Sequence, residues 1–192
     1  MLEQTGRMDA LVLEKLCYYV QAWSLAWDDR PAFADPIEAW KYGPVCRDLW
    51  AAHKGDVLVS RVDGAMPDRV PDTVKATALV VLDFYGRLFN RELVDLTHNE
   101  WPWLSARGPI PDDENSSAEI TRDSMRDYFV NLRQPYKGFT EAYERGARAL
   151  MAMTTDEARS HYQGEWFDGS GLENWLATGE GNPWASSGGS AD

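Results

Sequence analysis

Apolar residues between Asp9 and Trp27 recur at spacings of three and four, with Leu13, Leu16, Val20 and Trp23 on one face. The pattern predicts a helix over 9–27, opened by Asp9 as N-cap. Tyr19 and Trp27 widen its apolar surface so far that neighbours should cover it on most sides. A second helical stretch is predicted from Asp35 and Pro36, stopped at Gly43 and restarted by Pro44 through about His53. Gly tolerates positive φ at a helix C-terminus, and Pro fits the first turn of the next helix. Residues 56–62, with Val57 and Val59 alternating, predict a short strand or extended arm able to form a hairpin.

A third long helix is predicted over 72–89, capped by Asp72 and carrying Val74, Leu79, Val81, Leu82, Phe84 and Leu88. A shorter one follows Asn90, with Leu93 and Leu96 facing inward. Residues 108–117, GPIPDDENSS, read as a loop. Thr121 should then cap a helix whose inner face carries Met125, Tyr128 and Phe129. A further helix is expected from Tyr136 or Thr140 to Met151, and Thr154 with Glu157 has capping-box spacing. The expected fold is therefore mainly α: a compact multi-helix domain with one short extended or β element and a flexible acidic C-terminal tail.

That tail is set apart by composition. From Gly164 onward it has five acidic residues and no basic ones, yet it carries Trp166, Trp175 and Trp184 at a spacing of nine, with Phe167 nearby. Aromatic anchors in an acidic, poorly ordered segment suit a stretch that folds on a partner, because Trp buries much area at low entropy cost.

Charge narrows the function classes. The 192 residues include 19 basic and 31 acidic ones, a net charge of −12. Gripping nucleic acid directly rests on Lys and Arg displacing counterions, so that class is disfavoured and a basic protein partner is expected. Solubility alone could also account for the acidity. No apolar run approaches the roughly 20 residues that span a bilayer, and MLEQTGRMDA is not a secretory leader, so the cytosol is expected. Cys17 and Cys46 have no CxxC partner and should be reduced, structural thiols. Phosphate loops, nucleophile elbows and dinucleotide fingerprints are absent from the sequence, so no catalytic, metal or cofactor residues are assigned.

Three short motifs remain: LCYYVQAW at 16–23, AWKYGPV at 39–45 and HNEWPWLSA at 98–106. Their residues Leu16, Tyr18, Tyr19, Gln21, Ala22 and Trp23, then Ala39, Trp40, Tyr42, Gly43, Pro44 and Val45, then His98, Glu100, Trp101, Pro102, Trp103 and Ala106, with Phe84 and Tyr85 between, resemble the Panacea domain. This is the SocA-like antitoxin domain of bacterial and phage toxin-antitoxin systems. The resemblance spans about 9–130 and implies a common scaffold that neutralises a cognate toxin by direct binding. With the helices and tail read from pattern and composition, the expected division is a Panacea-like scaffold at 8–130, a helical extension at 131–162 packed on it, and the acidic tail at 163–192.

Read in that frame, Trp40, Tyr42, Gly43, Pro44, Val45, His98, Glu100, Trp101, Pro102 and Trp103 are structural. The aromatics Tyr18, Tyr19, Trp23, Trp40, Tyr42 and Trp50 should wedge the first two helical regions together. Tyr18 and Gln21, with polar tips at the edge of that patch, are expected to contact the partner together with Trp166, Phe167, Trp175 and Trp184. Two other functions fit the sequence: an adaptor that delivers its partner to a protease, or a small phage or mobile-element enzyme using His98 and Glu100.

Overall fold

The computed structural model describes residues 1–133. A short helix α1 (Leu2–Thr5) and strand β1 (Met8–Asp9) lead into the long helix α2 (Ala10–Asp28). Asp9 caps α2 as its sequence predicts, its Oδ1 accepting from the N–H groups of Leu11 at 2.8 Å and Val12 at 3.3 Å. These two bonds satisfy amides that the first helical turn leaves without partners.

Helix α2 is the axis of the domain. From Val12 to Ala26 every residue except Cys17 is buried, polar ones included. A helix buried all round needs neighbours on all sides. They are α4 (Asp72–Tyr85), α5 (Asn90–His98), α7 (Arg122–Arg133) and a β-hairpin. On the α7 side, Phe129 meets Tyr18, Tyr19 and Trp23 edge-on, with centroid distances of 5.0–6.1 Å. On the α4 side, Tyr85 stacks on Tyr19 at 3.8 Å and accepts from Trp23 Nε1 at 3.1 Å. Thr121 caps α7, accepting from Ser124 N–H at 3.2 Å, and Met125 and Phe129 are buried beneath it. Helix α4 ends at Tyr85, short of the expected residue 89, and α5 follows.

The hairpin is a departure from the expected helix at 35–43. Strands β2 (Ile37–Trp40) and β3 (Gly43–Cys46) pair antiparallel, with Ile37 opposite Cys46 and Trp40 opposite Gly43, and only Arg47–His53 is helical, as α3. The glycine at the corner does have positive φ, 95°, but it serves a chain reversal between strands. Pro44 is tolerated because β3 lies at the edge of the sheet, whose order is β3-β2-β5. Strand β5 (Glu119–Ile120) comes from a distant part of the chain, and Ala39 N–H donates to Ala118 O at 2.8 Å beside it. Ile37, Glu38 and Ala39 are consecutively buried, as a strand sandwiched between layers requires. The extended element expected at 56–62 contains β4 (Leu58–Val59), which pairs with β1 rather than folding into a local hairpin.

A 3₁₀ turn at Pro67–Arg69 precedes α4, and α6 (Trp101–Arg107) begins right after Glu100. The helices expected between Tyr136 and Met151 and after Thr154, and the tail with Trp166, Phe167, Trp175 and Trp184, lie outside the described residues.

Candidate functional site

The motif residues meet in a network of buried polar and aromatic contacts. Glu100, at the N-cap of α6, is fully buried, and each carboxyl oxygen accepts from a tyrosine of α2: Oε2 from Tyr18 at 2.7 Å, Oε1 from Tyr19 at 2.9 Å. Burial pushes this carboxyl up to about 8, with the two hydroxyl donors opposing the shift. Both tyrosines are held well above their ordinary range by the same burial, with Glu100 adding to it.

His98 is separate from this cluster. Its ring stacks on Trp103 at 4.0 Å, burial lowers its pKa, and its Nε2 has no hydrogen-bond partner among the described residues. Trp103 is fully buried and donates from Nε1 to Trp40 O at 3.0 Å. The guanidinium of Arg107 lies over the same indole at 4.8 Å and donates to the carbonyls of Ala39, Pro111 and Glu114. Residues 98–107 thus tie α6, the hairpin and the following loop together.

A second buried polar group joins α2 to the other end of the hairpin. Glu14 Oε1 is hydrogen-bonded to His53 Nε2 at 2.6 Å, and its Oε2 accepts from the Cys46 N–H at 2.9 Å. Its neighbour Lys15, 1% exposed, donates to Pro44 O at 2.9 Å. Burial raises the Glu14 carboxyl and lowers the Lys15 ammonium to about 7. Periodicity hid this pair, because two charged residues inside a helix ordinarily read as its solvated face. The one available signal was that Glu14 and Lys15 are flanked on both sides by predicted core positions.

Residues 13–104 match the family model of the antitoxin SocA-like, Panacea domain. This part of the chain is a Panacea domain of the SocA-like antitoxin family. No curated protein and no solved structure matches the chain.

Within the Panacea domain, Tyr18 and Gln21 face inward, contrary to the expectation that their tips would meet a partner. Tyr18 is spent on Glu100, while Gln21 accepts from the N–H groups of Ala32 and Phe33 and donates to Phe33 O. Tyr42 also departs from expectation: it is 62% exposed and wedges nothing. Trp40 and Trp50 are half-buried and meet edge-on at 5.0 Å. Trp101 is likewise 62% exposed, whereas Pro102, next to it in the first turn of α6, is buried.

The two thiols are free, and burial raises the pKa of each. Among the described residues there is no group of three or more His, Cys, Asp and Glu placed to hold a metal, and no helix long and apolar enough to cross a membrane.

Proposed function

We propose that this chain is an antitoxin that neutralises a cognate toxin by stoichiometric protein–protein binding in the cytoplasm. The observation that carries this reading is the Panacea match over 13–104. The toxin is a basic protein encoded beside this gene, drawn to a partner of net charge −12. The chain grips neither nucleic acid nor membrane itself.

The Panacea domain holds the shape, and residues 131–184 set which toxin is recognised, with Trp166, Phe167, Trp175 and Trp184 as anchors. Support for this division comes from the inward use of the motif side chains. Tyr18, Gln21, Glu100 and Trp103 all have partners inside the domain, so they are poor contacts for a toxin.

The same geometry weighs against an enzyme working through His98 and Glu100. Both oxygens of Glu100 are engaged by tyrosines, and no hydrogen bond joins it to His98, whose ring is stacked on Trp103. Mixing the purified chain with the neighbouring gene's product tests the reading: a stable complex of fixed stoichiometry is expected, and separate elution of the two would contradict it.

A further inference from the structure

A groove of about 720 Å³ opens between the first half of α2, the tip of the β2–β3 hairpin and the end of α3. Its size suits a small organic molecule, for which pockets of roughly 300–1,000 Å³ are usual. Trp40, Tyr42 and Trp50 line it, and so do Lys15, Lys41 and Lys54. Two of these lysines rest over aromatic rings, Lys41 Nζ 5.6 Å from the Tyr42 centroid and Lys54 Nζ 5.0 Å from that of Trp50. Flat apolar surface and positive charge are thereby presented together.

Lys15 adds an independent observation. It is almost wholly buried, and among the described residues its only hydrogen bond is to Pro44 O, although an ammonium carries three donors. Among the lining groups Asp56 opposes Lys41 and Lys54, and Lys15, lowered to about 7 by burial, adds a partial positive charge. Glu14 is moreover committed to His53 and the Cys46 amide. In a chain of net charge −12, this groove is a local cationic site walled by aromatic rings.

We propose that the groove binds a planar aromatic molecule carrying a phosphate or carboxylate, its ring against Trp40, Tyr42 and Trp50 and its anion toward Lys15, Lys41 and Lys54. The ring and the anion are recognised jointly, because neither the stacking surface nor the lysines stand apart from the other. The proposal rests on the groove and needs no toxin.

Calorimetric titration of the full chain tests it, with adenosine 5′-monophosphate as the phosphate probe and indole-3-acetate as the carboxylate probe. Adenosine and inorganic phosphate serve as isolated halves. At least one of the two anions should saturate a single site, with each half at least about tenfold weaker. Loss of Lys15 would disturb the fold, so the exposed pair Tyr42→Ala and Lys54→Gln carries the test; together they should weaken binding at least about tenfold. Binding of one anion and not the other assigns the headgroup chemistry. The proposal is overturned if neither probe binds at about 1 mM, if a half binds as tightly as the whole, or if the double variant binds like the parent chain.

Discussion

The hydroxyl of Tyr18 donates to the carboxyl of Glu100 at 2.7 Å across 82 positions of sequence, and both side chains are fully buried. The bond fastens the central helix to the start of α6, and Tyr19 repeats it on the other oxygen. Glu100 therefore acts as a clamp between the first and last motifs of the Panacea domain. Replacing it with Ala leaves two buried phenols unpaired and opens a void. Glu100→Ala should lower stability by about 2–4 kcal/mol in denaturant unfolding; a change near zero would show that the clamp carries no load.

The same clamp gives stability a pH dependence of defined sign. Its folded pKa is about 8, against ~4.3 for an exposed glutamate. Between these values the folded chain keeps a proton that the unfolded chain has released, so stability falls as pH rises through this window. Lys15 acts oppositely. With a folded pKa of about 7 against ~10.4 unfolded, it makes stability recover as pH rises through that upper window. Glu14, whose carboxyl is also raised by burial, adds to the first slope. Glu100→Gln should accordingly flatten the decline between about pH 5 and 8 while leaving the alkaline rise; unfolding midpoints with the parent's slope would contradict the assignment.

Gly43 is required twice over, by conformation and by space. Its φ is 95°, and a Cβ there would lie 2.7 Å from both Lys15 Cε and Thr97 Oγ1. Gly43→Ala should cost about 2–3 kcal/mol, and unchanged thermal unfolding would show that the hairpin corner relaxes freely.

Much of the domain was legible in residue pattern. The cap at Asp9, the all-round burial of α2 and the cap at Thr121 follow from short-range spacing, and so does the inner face of α7. The hairpin at 37–46 was not legible, because Gly43-Pro44 punctuates a helix break and a strand corner equally well. What decides between them is β5, which arrives from residues 119–120 to cover β2. The Glu14–His53 and Lys15–Pro44 pairs escaped for a related reason, since each is formed by residues at least 29 positions apart. Tyr18 and Gln21 were misplaced because a polar tip on an aromatic helix has the same pattern whether its partner is a foreign chain or a group of the same domain, here Glu100 for Tyr18 and the Ala32 and Phe33 backbone for Gln21.

Removal of residues 164–192 tests the proposed division between scaffold and recognition. The truncated chain should keep its helical circular dichroism and lose toxin affinity by at least about tenfold. Full rescue by the truncated chain would remove the tail tryptophans from the interface without touching the family assignment.

Partner lifetime distinguishes plain inhibition from delivery to a protease. In cells, the half-life of the bound toxin should be no shorter with this chain than without it. A shortened half-life that depends on a functional protease would instead identify an adaptor.

Neutralisation by binding is tested by co-expressing this chain with the product of the adjacent gene, scoring growth and then co-purification. The neighbour alone should arrest growth, this chain should restore it, and the two proteins should purify together. A harmless neighbour with no complex, or rescue without any association between the two, would contradict it.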